Sequence, residues 1–175
     1  MTNGPGRRWI AVLCAVLGVA VLAGCLSGPI FDDRGQEGPV SVNLTNAATD
    51  TYEFRVLVVD GPPEDAAYYP QYTDRESEWT QFSPAGLSNT DYADANVTSI
   101  QFRQHVTRQH DTVTLAPNET ARTRIDEFET RDIVVVTVTS DGRVLALVTA
   151  TCTGDLVGVV VFMRPYGADP GLYCR

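Results

Sequence analysis

The sequence contains no lysine. All 13 basic residues are arginines, and they stand against 22 acidic residues. A chain without a basic patch has nothing with which to neutralise a row of phosphates, so nucleic acid is excluded as a partner. Histidine is almost missing too, with His105 and His110 the two present. In a strand their spacing places them on opposite faces, and His105 shares its parity with Gln101, Arg103 and Thr107, a solvated face. A general base needs an oriented partner, and the sequence supplies none. There is no Gly-x-Ser-x-Gly elbow to expose a nucleophilic serine. Cys152 is followed by a run to Met163 that holds no histidine, which removes the ligand set of a blue-copper site. No His/Cys spacing fits structural zinc. The chain is therefore read as non-enzymatic, with no metal and no cofactor.

Long apolar runs are scarce as well. The one that exists lies at the amino terminus, where Arg7 and Arg8 precede an uncharged stretch from Trp9 to Ala23. The stretch ends in Leu22-Ala23-Gly24-Cys25, small residues running into a cysteine. Positive n-region, apolar h-region and small-residue cleavage site are in the order of a signal peptide. Leu-Ala-Gly-Cys resembles the lipobox of lipoproteins, which implies that residues 1–24 are removed and that Cys25 carries a lipid. An uncleaved membrane anchor is the alternative. It fits less well, because the run is shorter than the roughly 20 residues of a span and contains Gly18 and Gly24. Under either reading the arginine pair stays inside and the rest of the chain faces outward. Arg7-Arg8 followed by Trp9-Ile10 also resembles a twin-arginine export signal. The expected location is the cell surface, on the outer face of the cytoplasmic membrane, with the membrane as partner through the lipid on Cys25.

Without the leader, 11 positive charges remain against 22 acidic residues, a net of about −11. An acidic, lysine-free chain with a lipobox resembles the proteins of halophilic archaea. Carboxylates hold water and counter-ions, and concentrated salt screens their mutual repulsion. An ordinary acidic secreted protein is the plainer reading of the same composition.

The four cysteines divide cleanly. Cys14 leaves with the leader and Cys25 is taken by lipid. Cys152 and Cys174 remain as an even pair in an oxidising compartment, which predicts a disulfide. Residues 25–39 form a tether punctuated by Gly28, Pro29, Gly35, Gly38 and Pro39. One domain, 40–175, follows.

Its periodicity is that of strands. Val40, Val42 and Leu44 alternate with polar residues, and Tyr52 to Val59 reads as a second strand. Ile100, Phe102 and Val106 share one parity in 98–107. Val113 and Leu115 lead into the turn Ala116-Pro117-Asn118-Glu119, with a return strand through Ile125. Asp141-Gly142 between Ile133–Thr139 and Arg143–Thr149 predicts a two-residue hairpin pairing Val138 with Leu145 and Val136 with Leu147. A turn at Thr153-Gly154-Asp155 then extends this into a meander through Leu156 to Met163. The fold predicted is an all-β antiparallel sandwich of about seven to eight strands. Val40-Ser41-Val42-Asn43-Leu44-Thr45, the Tyr-Glu-Phe-Arg-Val strand and Thr-Leu-Ala-Pro-Asn-Glu-Thr-Ala121 together resemble the immunoglobulin-like modules of archaeal surface lipoproteins. That resemblance implies a fold and no activity.

Residues 61–97 do not fit the strand pattern and are expected to form a long loop. The segment carries Tyr68, Tyr69, Tyr72, Trp79, Phe82 and Tyr92 among seven carboxylates and the single Arg75. Aromatics on a polar loop suit stacking on a sugar or contact with a surface protein. The carboxylates are a candidate for calcium, although 89–96 lacks the alternating ligands and turn glycine of an EF-hand loop. The plainer reading makes the aromatics a cap on the sandwich edge. Asn43, Asn96 and Asn118 each begin an N-glycosylation sequon. The leading functional reading is a lipid-anchored surface module with a binding or envelope-structural role. An accessory domain binding sugar or calcium through 61–97 is the second.

Overall fold

A computed structural model describes residues 38–83, 86–103 and 107–175, which belong to the unit Gly35–Arg175. The leader and most of the tether, with Cys25, lie outside the described residues, as do His105 and Val106. Among the described residues there is no helix. Twelve strands follow one another: β1 (Val40–Asn46), β2 (Tyr52–Val59), β3 (Ala67–Tyr72), β4 (Thr80–Gln81), β5 (Gly86–Asp91) and β6 (Val97–Phe102) make the first half. The second half comprises β7 (Thr107–Leu115), β8 (Thr120–Ile125), β9 (Ile133–Ser140), β10 (Arg143–Thr151), β11 (Leu156–Arg164) and β12 (Gly167–Cys174).

The expected all-β sandwich is present, with twelve strands where about seven to eight were predicted. Its two main sheets run β12-β11-β1-β8 and β5-β10-β9-β2-β7. A small third sheet, β4-β3-β6, lies on the far side of the second. We call these sheets A, B and C. Pairing is antiparallel except between β1 and β11, which are parallel.

The layering follows from side-chain parity. On β2, Phe54, Val56 and Val58 join Val40, Val42 and Leu44 of β1 in a core between sheets A and B. The alternate residues Leu57 and Val59 face the other way, into a second core with Ala66, Tyr68, Phe82, Tyr92 and Val97. β9 divides likewise, with Val134, Val136 and Val138 in one core and Ile133 and Val135 in the other. A strand covered on both faces has no polar side to show. This is why β9 reads Ile-Val-Val-Val without alternation, whereas β1 alternates cleanly.

Three expectations are corrected. Residues 61–97 are not a loop: they contain β3, β4 and β5. β3 holds Pro70, which normally argues against a strand. β4 pairs only with Ala67 and Tyr68, so beyond that point β6 is the one neighbour of β3 and the missing N–H costs no ladder bond on the open side. The β9–β10 hairpin turns at Asp141 and Gly142, both at positive φ as the two-residue turn requires. Its register is as predicted only near the turn. A bulge at Leu145 then pairs Val138 with Ala146 and Val136 with Val148. Leu145 stays against the first core while Leu147 turns into the second. Finally, β11 does not extend a meander. It crosses to sheet A and lies against β1.

The disulfide between Cys152 and Cys174 is present, with Cα atoms 6.0 Å apart. Cys152 follows β10 of sheet B and Cys174 ends β12 of sheet A, so the bond joins the two sheets. Opposite it, the buried Asn46 ties three segments. Its amide Nδ2 donates to the carbonyls of Asp50 (2.7 Å) and Leu115 (2.9 Å), and its Oδ1 accepts from the amide of Ala48 (3.0 Å). Every polar atom of that buried side chain has a partner.

Candidate functional site

The aromatic residues of 61–97 separate by strand parity into two sets. Tyr68 and Tyr92 are buried beneath sheet C with Phe82. These two, expected among the ligand-facing residues, are core side chains, because their positions on β3 and after β5 turn them towards sheet B. Burial raises the Tyr92 hydroxyl well above its ordinary range, with the neighbouring Tyr68 adding to the effect.

Tyr69 and Trp79 form the other set. Tyr69 follows Tyr68 on β3 and so points outward. Its ring lies 5.3 Å from that of Trp79, which remains 46% exposed just before β4. The guanidinium of Arg103, immediately after β6, lies 5.3 Å from the Trp79 ring on the same surface. Such tilted ring and cation–π contacts fix the rings without covering them. Gln71 and Ser99, paired across β3 and β6, continue this face, with the Ser99 hydroxyl donating to Gln71 Oε1 at 2.6 Å. Beside them is a groove of about 490 Å³ lined by Tyr69, Gln71, Tyr72, Arg75, Glu76, Ser77 and Thr98. Tyr72 is half-buried there, edge-on to Tyr92 at 6.4 Å and covered by the Arg75 guanidinium at 3.8 Å. The arrangement is an exposed Trp79 against a half-buried Tyr69, flanked by hydrogen-bonding side chains, two cations and the carboxylate of Glu76.

Two carboxylates of the segment, Asp91 and Asp74, are engaged within the fold. Asp91 Oδ1 accepts from the amide of Ala93 (2.8 Å), and Asp74 Oδ2 accepts from Asn96 Nδ2 (3.1 Å). Among the described residues, no three His, Cys, Asp or Glu side chains are grouped as a metal ion would need. Of the sequons, Asn118 is exposed at the tip of the β7–β8 turn at φ 62, Asn96 is exposed with its amide engaged, and Asn43 is half-buried on the outer face of β1.

A second polar cluster had no signature in the sequence, since its members are far apart along the chain. Arg108 on β7 lies 3.2 Å from Asp60, 3.2 Å from Asp132 and 3.7 Å from Glu127. Asp132 is only 3% exposed, and its Oδ2 also accepts from the amide of Glu129 at 3.0 Å. Burial raises its carboxyl above the ordinary range. The nearby charge of Asp60 adds to this, while the Glu129 amide and Arg108 oppose it without prevailing. His110 lines an adjacent cleft with Val58, Arg108, Ile125, Asp126 and Glu127.

No known protein-family profile matches the chain, and no curated protein matches it. Among solved structures, it is similar to one titled "Trapped Toxin", at 6% identity and a TM-score of 0.30, over 78% of this chain. The chain spans 24% of that structure's length. A likeness so slight carries no argument about function.

Proposed function

We propose that this chain is a lipid-anchored, non-enzymatic binding module of the cell surface, whose binding face is the outer side of sheet C. The lipobox-like Leu22-Ala23-Gly24-Cys25 after an apolar leader supports export and anchoring on the outer face of the cytoplasmic membrane. The observation that carries the binding reading is Trp79, a large ring held between Tyr69 and Arg103 yet left nearly half exposed. Burying that ring against solvent-side contacts would favour a ligand with an apolar face and polar edges. A sugar ring in an envelope glycan has both. Gln71, Ser99 and Thr98 are placed to bond its hydroxyls. Sugar is favoured over calcium because, among the described residues, no three carboxylates are grouped as a metal ion would need.

Binding of the full-length protein to an array of envelope-type glycans tests this reading. Trp79→Ala and Tyr69→Ala are each expected to weaken a positive signal at least about tenfold, the effect of losing roughly 1.4 kcal/mol at an aromatic anchor. Glycan binding that survives both substitutions refutes it. Mass spectrometry of the membrane-purified protein tests the anchor, and an intact Met1–Gly24 segment would overturn it.

A further inference from the structure

Sheet A has an outer face unlike the rest of the molecule. Five large apolar side chains are exposed among the described residues, and four of them (Val157, Phe162, Tyr166 and Tyr173) lie on the β11–β12 hairpin. Tyr166 is 91% exposed and Tyr173 59%. Register places Phe162 and Tyr173 on the same outward side as Ser41, Asn43 and Thr45 of β1. Arg122 and Arg124 of β8 stand across from Asn43 and Ser41, and Arg164 lies beside Phe162. Among the described residues, the carboxylates close to these cations are Asp126, 2.7 Å from Arg124, and Asp169, 3.0 Å from Arg164. Three guanidiniums thus meet two carboxylates, in a chain where acids outnumber bases 22 to 13. The segment 61–103, which builds much of the opposite side, holds seven carboxylates against two arginines, with one of the seven, Asp91, lying beside Gly167 of the β11–β12 turn.

Two glycines let side chains lie close over this face. A Cβ on Gly171 would fall 2.7 Å from Val160 Cγ2, and one on Gly158 would meet Ser41 O at 3.1 Å with the Tyr173 ring next to it. Glycine at these two positions lets Val160 and Tyr173 lie down over the sheet.

We propose that the outer face of sheet A rests on an anionic lipid surface, the one in which Cys25 is anchored. This rests on the lipoprotein reading and adds an orientation to it. From Cys25 to Gly38 there are 13 residues, a reach of at most about 45 Å. The chain enters the fold at β1, inside sheet A, so the tether holds this sheet within about a domain's width of the bilayer. At the high effective concentration of a short tether, a weak contact is enough to orient the domain. Tyr and Phe rings suit the headgroup level, and arginines are drawn to anionic lipid while the carboxylate-rich side is repelled. A second copy is the poorer occupant. Two-fold pairing would set two faces of the same net positive charge against each other. Resting on sheet A turns the Trp79 face away from the membrane, towards whatever it binds.

The test is brominated-lipid quenching in vesicles of phosphatidylglycerol and phosphatidylcholine carrying the full-length protein. One sample has Phe162→Trp in a Trp9→Phe, Trp79→Phe background, and another keeps Trp79 with Trp9→Phe. The indole introduced at position 162 is expected to lose most of its emission to bromolipid, and Trp79 to lose little. At low salt, combined Arg122→Gln, Arg124→Gln and Arg164→Gln should reduce the quenching. Equal or absent quenching at both positions, with Cys25 lipidated by mass, overturns the orientation and leaves the anchor standing. If Cys25 proves unlipidated, the anchor reading fails, and quenching at saturating vesicle concentration decides the contact alone. Self-association that shields position 162 and is broken by Phe162→Asp would overturn the proposal in favour of a second copy.

Discussion

Replacing both Cys152 and Cys174 with serine removes a cross-link spanning 22 positions. The magnitude follows from the loop it closes. For about 22 residues, the chain-entropy relation gives a loss of roughly 3 kcal/mol of stability at 25 °C, by releasing the unfolded chain. For a domain of this size that corresponds to a melting point lower by roughly 10 °C. The folded state should change much less. β12 pairs with β11 from Arg164–Gly167 to Leu156–Cys174, so its ladder holds the tail without the sulfur bond. Beyond the bond, Asp155 and Arg175 exchange backbone hydrogen bonds, at 3.1 and 2.9 Å. Two measurements separate the effects. Urea unfolding at fixed salt should show the stability loss with a steeper denaturant slope, because the freed chain exposes more surface. Hydrogen exchange should still show protected β12 amides under native conditions. A loss below about 1 kcal/mol, or a β12 that exchanges freely in the variant, would refute the assignment of the effect to the unfolded state.

Three further outcomes are expected. Phe54→Ala, at a fully buried ring between sheets A and B, should cost about 3–5 kcal/mol in denaturant unfolding. Asp132 keeps its proton to higher pH folded than unfolded, so its contribution is full below the ordinary carboxylate range and is lost as pH rises through the raised folded value. Stability measured against pH should therefore fall less steeply above that range in Asp132→Asn than in the parent, and parallel curves would contradict this. Lowering salt from 1 M to 0.1 M lengthens screening from about 3 Å to about 10 Å, which should destabilise so acidic a chain. Equal melting points at 0.1 M and 3 M salt would count against the halophilic reading.

Strands with one buried face were legible in the sequence, and those with two were legible only as strands. β1 and β2 stand at the predicted residues because apolar and polar side chains alternate along β1, and β2 is bounded by turn residues. The β9–β10 turn was legible in Asp141-Gly142, but no residue type announces the bulge at Leu145. When both faces of a sheet are buried, a one-residue shift leaves the hydrophobic pattern almost unchanged, so the pattern cannot fix the register. β3 and β5 were hidden for other reasons: Pro70 in one, and the polar Ser88-Asn89-Thr90-Asp91 in the other, an edge of sheet B. Aromatic content singled out the segment that carries the proposed binding face. It could not divide Tyr68 from Tyr69, because that division is strand parity and the strand itself was unseen. Arg103 joined Trp79 only through the pairing of β3 with β6, a contact between residues distant in sequence.

The placement of β1 bears on how the molecule carries load. It is neither the edge of sheet A nor a strand joined to a hairpin partner; it lies between β8 and the parallel β11, with ladders on both sides. Ladder bonds run across a strand rather than along it. A pull directed along β1 through the chain before Gly38 therefore strains the bonds of both ladders together, in shear, instead of opening them one after another from a free end. An edge strand at that position would unzip. A domain tugged at its amino end by moving neighbours would keep its grip at forces that would peel a hairpin.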